Sequence, residues 1–152
     1  MFTAATLPAM AGRVGDDKLL LHEQAGTWLR VRLFFEIWGT YAQVRRRLRR
    51  ADIESVVATL RAGTSDDMDP ATARRLAKRL GHAIDRTLRF LRADSRCLTV
   101  SLVLLRMMAR RGAHCSLLIG TRSGPAFAAH AWVEHDGTPV LPTRGYASLT
   151  AI

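Results

Sequence analysis

Cys97 and His130 are the residues best equipped for chemistry. Cys97 stands where the irregular connector Ala93 to Arg96 gives way to a long apolar run. His130 stands in Ala129-His130-Ala131-Trp132-Val133-Glu134. Cysteine catalysis needs a partly ionised sulfur and a base within hydrogen-bond reach. A thiol in the first turn of a helix lies near the positive end of the dipole, which favours thiolate. A histidine opening a β-strand can serve as its base. The bland alternative makes Cys97 a small buried apolar residue and His130 a satisfied surface histidine. Spacing alone does not separate the two.

The elements that must position this pair follow from periodicity. Met1 to Asp17, with Pro8 and several glycines, reads as a loose lead-in. A first helix is predicted over Lys18 to Arg50, with breaks near Gly26 and Gly39. Leu29, Leu33, Ile37 and Trp38 have near-helical spacing, and the end carries Arg45, Arg46, Arg47, Arg49 and Arg50. Cations suit a helix C-terminus. A short helix covers Ala51 to Arg61, and Gly63 to Asp69 is a polar loop. Asp69 and Pro70 form a cap and first-turn pair for a helix to about Arg92, with Leu76, Leu80, Ile84 and Leu88 every four residues.

The next helix, Cys97 to Arg111, is apolar nearly all round, as expected of a buried central helix. Gly112 closes it. The period then changes. Cys115 to Thr121 reads as a strand, Ser123 to Pro125 as a turn, and Phe127 to His135 as a second strand. Asp136-Gly137 is a hairpin signal, with Thr138 to Leu141 returning. In the second strand His130, Trp132 and Glu134 share one face, and Ala131 and Val133 the other. The fold class is α+β: N-terminal helices, then a buried helix packed on a small antiparallel sheet. Residues 1–69 are expected to form a helical region and 70–152 the core, within one compact domain.

With 152 residues, the chain can bury a real core. Its formal charge of +10 attracts acidic partners such as nucleic acid, anionic lipid or an acidic peptide. The aromatic residues Trp28, Phe34, Phe35 and Trp38 look like core or interface. They lack the basic–aromatic interleaving of a base-stacking surface, so nucleic acid is not the expected partner. The arginine run at Arg45 to Arg50 reads as a solvated helix end, an anion or membrane contact, or a docking face for an acidic leader or partner protein. Two cysteines, Cys97 and Cys115, are too few for a disulfide scaffold. No secretory signal or membrane span is apparent, so a cytoplasmic location is expected. His114, Cys115, Cys97 and His130 lack the paired spacing of a zinc set, and Cys115 reads as core. No cofactor or metal is expected.

Cys97-Leu98, Ser101-Leu102, Arg110-Arg111-Gly112, Leu118-Ile119-Gly120 and Phe127 to Glu134 with Asp136-Gly137 together resemble the peptidase part of the lasso-peptide B proteins. That family is a transglutaminase-like group of papain-related cysteine enzymes, and the likeness is close from about Pro70 to Leu141. It implies a leader peptidase that cuts a ribosomally made precursor between leader and core, upstream of a cyclase. It implies Cys97 as nucleophile and His130 as general base and later acid. It implies the split form, with the leader peptide and a separate PqqD-like leader-recognition protein as partners.

The family's acidic third member falls about twelve residues after the histidine, where this chain has Pro142. A two-residue turn at Asp136-Gly137 would set His130 opposite Thr143. Asp136 would lie ~20 Å from His130 along the strand and serve as turn former. Thr143, a backbone carbonyl or a carboxylate from elsewhere is left to orient the imidazole. Asp94 is near Cys97 in sequence, but no spacing sets it behind His130. The Cys97 N–H is one candidate oxyanion donor. Two other function classes fit the residues: a noncatalytic basic binding or scaffold module, and an amidase or acyl transferase using the same thiol.

Overall fold

The computed structural model describes residues 14–62, 68–94, 96–122, 128–140 and 147–151. Four helices precede four strands: α1 (Val14–Leu48), α2 (Ile53–Arg61), α3 (Pro70–Phe90), α4 (Cys97–Ala109), β1 (Ser116–Arg122), β2 (Ala128–His135), β3 (Thr138–Pro139) and β4 (Ala147–Ala151). The fold is α+β. The chain divides into two compact units, residues 1–35 and 36–152, with the boundary inside α1. All that follows on packing concerns the second unit.

α1 runs unbroken through Gly26 and Gly39, where breaks were predicted. A glycine inside a helix costs about 1 kcal/mol against alanine, which neighbouring residues can offset. Past Phe35 its buried positions are Ile37, Thr40 and Val44, a narrow helical stripe. In this unit Trp38 is exposed and is not core. Asp52 caps α2 by accepting from the Ser55 N–H. Asp69 caps α3 through the Ala71 and Thr72 N–H groups, with Pro70 in the first turn.

α3 stops at Phe90, two residues before the predicted end. Arg92 takes a left-handed φ of 50°, Ala93 N–H reaches back to the Leu88 carbonyl, and Arg92 N–H to that of Arg89. This is a Schellman closure built on arginine rather than glycine. Gly112, at φ 77°, closes α4 the same way through Ala113 N–H to Met108 and Gly112 N–H to Ala109.

α4 is the centre of the unit. Leu102, Val103, Leu104, Leu105, Met107 and Met108 are fully buried. They pack against Val56, Val57 and Leu60 of α2, Ala77, Leu80, Ile84 and Leu88 of α3, and the sheet. The sheet is antiparallel in order β3-β2-β1-β4. Leu117 of β1 lies opposite Val133 of β2, and both are fully buried. The hairpin turns at Asp136 (φ 48°) and Gly137 (φ 67°) as predicted. The return strand is shorter than expected, spanning Thr138–Pro139, although Val140 N–H still reaches the Val133 carbonyl beyond it. Strand β4 was not foreseen. It pairs with β1 across a bulge between Ile119 and Gly120. The predicted turn at Ser123 to Pro125, Phe127 and Leu141 lie outside the described residues.

Leu104→Ala should destabilise the protein by about 2–5 kcal/mol in denaturant titration, because the cavity opens at the centre of the unit. Phe90→Ala, at a site 79 % exposed, should change stability by less than about 0.5 kcal/mol.

Candidate active site

Cys97 is the first residue of α4 and is partly exposed. Arg96 precedes it at the N-cap position and provides no side-chain hydrogen bond to the first turn. An arginine has no acceptor to give. The N-terminal N–H groups of a helix are orphan donors that suit an anion.

The thiol meets β2 through the backbone. Ala131 N–H donates to Cys97 Sγ at 3.4 Å. One turn along α4, the buried Ser101 hydroxyl donates to the Ala131 carbonyl at 3.0 Å. A strand residue sends its N–H and C=O to the same side, so both bonds leave the β2 edge that faces away from β1. Val133 C=O uses that same edge to accept from Val140 N–H at 3.0 Å. Where β3 no longer reaches, the first two turns of α4 take its place.

His130 adjoins Ala131 in the chain, so the thiol lies against the segment that carries the imidazole. The His130 ring stacks on that of Trp132, with centroids 6.1 Å apart and planes 21° from parallel. Trp132 is 3 % exposed, and its indole N–H donates to Glu134 at 2.9 Å. His130, Trp132 and Glu134 thus form one row, each member bracing the next. The ring of His130 is held by a neighbour that is itself fixed.

Asp94 sits three residues before Cys97, and its carboxylate is the polar hub of this end. It accepts from Arg45 of α1 at 2.9 Å, from the Arg96 side chain at 3.0 Å, and from Thr99 of α4 at 3.2 Å. Its own N–H donates to the Tyr41 hydroxyl at 3.2 Å. The Arg96 hydrogen bonds, reinforced by its charge, hold the Asp94 carboxyl well below the usual carboxylate range. Asp94 is therefore committed to the α1–α4 junction. Further along, Arg110 of α4 reaches Thr40 and Gln43, and Arg111 forms a two-point ion pair with Glu36 at 2.7 and 2.9 Å. These ties seat α1 beside α4 in antiparallel sense. No spacing rule points to Asp94, since Arg45 lies 49 residues away.

Asp136 forms the β2–β3 turn, where its carboxylate lies 3.5 Å from His135 Nε2. Pro142 and Thr143, the positions considered for a third member, lie outside the described residues. Cys115 is 2 % exposed and part of the core. Among the described residues no group of histidine, cysteine, aspartate or glutamate could hold a metal ion. No helix there is long and apolar enough to cross a membrane.

A family profile described as the transglutaminase-like superfamily matches residues 39–152. The chain belongs to that superfamily. The match begins inside α1, close to the start of the second compact unit, and takes in all of α2, α3, α4 and the sheet. A transglutaminase-like fold is related to that of papain-like cysteine peptidases. No curated protein and no solved structure matches the chain.

Two predictions follow from the geometry. Ser101→Ala strips a buried carbonyl of its donor and should cost about 1–3 kcal/mol of stability by thermal or denaturant melting. For Asp94 the folded-state carboxyl titrates lower than the unfolded one. Its contribution is therefore full above the ordinary carboxylate range and is lost as pH falls through that range. Wild type should lose on the order of 1–2 kcal/mol more than Asp94→Asn between about pH 5 and pH 2, allowing for solvent around Arg96. Parallel melting-temperature curves for the two proteins would refute this.

Proposed function

We propose that this transglutaminase-like protein is a cysteine endopeptidase that removes the leader from a ribosomally made lasso-peptide precursor. The observation that carries the proposal is the seating of the Cys97 sulfur, at an uncapped helix start, against the backbone beside His130. The motif set around both residues supports the narrower assignment to the leader peptidases.

In this reading His130 takes the proton from the Cys97 thiol as sulfur attacks the scissile carbonyl and a C–S bond forms. The Cys97 N–H faces the oxyanion. The C–N bond then breaks, and His130 returns the proton to the leaving amine, which is the amino terminus of the core peptide. Water next attacks the thioester and gives its proton to His130. The leader is released as an acid, and the thiol recovers its proton. Trp132 acts as a positioning residue for the imidazole, and Glu134 holds Trp132. A PqqD-like recognition protein presents the leader, and a cyclase takes the freed amine. The thiol chemistry suits a reducing, cytoplasmic compartment. An acyl-transfer variant of the same chemistry would differ in product mass, because the acyl group would end on an amine instead of water.

The test is cleavage of a candidate precursor, with the recognition protein present, followed by mass spectrometry. Cys97→Ala and His130→Ala should each lower kcat/KM by roughly 1,000-fold or more. Thiol-directed electrophiles should label Cys97 in preference to the buried Cys115. Full activity of Cys97→Ala ends the proposal. Failure of Cys97 to label, together with absent cleavage, would favour a noncatalytic scaffold.

A further inference from the structure

The end of α1 and the start of α2 enclose a cleft of about 490 Å³ that contains neither Cys97 nor His130. Arg46, Arg47 and Arg50 line it. Several other arginines of this unit that lie near α1, α2 and α4 have a carboxylate, hydroxyl, amide or carbonyl partner. Arg45 and Arg96 share Asp94, Arg89 holds Asp85, Arg111 holds Glu36, Arg110 holds Thr40 and Gln43, and Arg106 holds the Leu60 carbonyl. Among the described residues, none of the three cleft arginines has a carboxylate within ion-pair distance. The nearest acid in sequence, Asp52, is spent on capping α2 through the Ser55 N–H and hydroxyl. Behind the cleft, the like charge of Arg47 and Arg110 bears on the partly buried Arg106, whose Nε has no hydrogen-bond partner. The cleft is an unneutralised positive concavity.

The other lining groups narrow the class of ligand. The Ser55 hydroxyl donates to Asp52 and the Thr59 hydroxyl to the Ser55 carbonyl, so both protons are committed. What these hydroxyls offer the cleft is lone pairs, which repel any anionic oxygen and suit an N–H donor, so they favour a ligand that carries N–H groups beside its anions. Ala42, Ala51 and Val56 add apolar wall. Guanidinium donors, hydroxyl acceptors and aliphatic wall together match a peptide that carries carboxylates, amide N–H groups and small apolar side chains. A phosphodiester uses only the first of the three, and a lipid surface is not concave in this sense.

We propose that this cleft binds an acidic stretch of polypeptide. The lining residue Gln43 accepts from Arg110, just past the C-terminal end of α4, so the cleft lies toward that end of the helix. That the bound peptide is the precursor itself rests on the peptidase reading. The binding does not.

The experiment uses the full chain carrying Cys97→Ala, so that nothing is cut. Fluorescence anisotropy measures binding of a short labelled peptide of Glu, Leu and Ala, its Gln-for-Glu counterpart, a single-stranded oligonucleotide, and vesicles containing phosphatidylglycerol. The Glu peptide should bind in a salt-sensitive way, the Gln peptide at least ~10-fold more weakly. Arg46→Gln/Arg47→Gln/Arg50→Gln should weaken the Glu peptide by roughly 10-fold or more. The control Arg30→Gln/Arg32→Gln/Arg49→Gln removes the same charge from exposed sites that do not line the cleft, and should change binding by less than ~3-fold. Equal losses in the two triple variants would reduce the effect to net charge and overturn the proposal. So would tighter binding of the oligonucleotide or the vesicles through the same three arginines. Intact peptide binding with no cleavage of any precursor by the Cys97 enzyme would sink the peptidase reading alone. Cleavage with peptide binding indifferent to the cleft arginines would sink the cleft alone.

Discussion

A strand edge must bond to something, and the arrangement of this protein turns on what the β2 edge bonds to at Ala131. β1 occupies one side of β2. On the other side β3 is two residues long and ends at Pro139, before the register reaches Ala131. The first two turns of α4 answer both backbone groups of Ala131, the carbonyl with the Ser101 hydroxyl and the N–H with the Cys97 sulfur. Buried backbone groups left unpaired cost about 1–3 kcal/mol each, so this edge fixes the helix start as firmly as packing does. A sulfur is a weak acceptor, and a better one would complete the edge more strongly. Using a thiol there gives up some bonding strength and leaves a sulfur beside the histidine-bearing segment.

The same economy governs the polar residues around the site. Asp94 looks like a spare acid near a thiol and a histidine, yet its oxygens are taken up by Arg45, Arg96 and Thr99. Three elements converge on one carboxylate: the end of α1, the connector, and α4. The Schellman closure at Arg92 and Ala93 sends the chain from α3 into this connector, so Asp94 arrives where Arg45 waits. It acts on the thiol at one remove, by holding the α4 N-terminus against α1. Glu134 is likewise engaged, through the Trp132 indole. Asp94 could not turn to another partner without breaking a structural bond, whereas Glu134 spends one oxygen on the indole.

Much of this was legible in the sequence where the signal is local. The Asp69-Pro70 cap, the Asp136-Gly137 turn, the apolar circumference of α4 and the two-residue alternation of β2 all announce themselves within a dozen residues. What escaped depends on distant partners. β4 has no strong β-forming run, and its pairing with β1 is made across a bulge about thirty residues away in sequence. Asp94 shows its role only against Arg45. In α1 the aromatic residues drew attention from the buried stripe of Ile37, Thr40 and Val44, which is narrower and includes a threonine. Trp28 and Phe35, readable as core or interface, are exposed, and past Phe35 Glu36, Thr40 and Gln43 of α1 meet two arginines that follow α4. Polar ties, invisible to a hydropathy reading, chose the rotation of the helix.

The composition of the positive charge carries its own argument. All but two of the 23 cationic residues are arginine, the lysines being Lys18 and Lys78. A surface selected only for solubility, or for diffuse attraction to a polyanion, has no reason to avoid lysine, whose ammonium is a compact and well-hydrated charge. Guanidinium is more weakly hydrated and offers a planar fork that grips a carboxylate or a carbonyl at two points. The fold uses that property internally at Arg111 with Glu36 and at Arg96 with Asp94, where single side chains each make two bonds. Arg106 shows the cost: it holds the Leu60 carbonyl across α2 and α4 but leaves its Nε buried without a partner, near Arg47 and Arg110. A protein that accepts this crowding of like charge inside a helical junction gains from any external anion that settles beside it. Such an anion would relieve Arg46, Arg47 and Arg50 directly and Arg106 through the field.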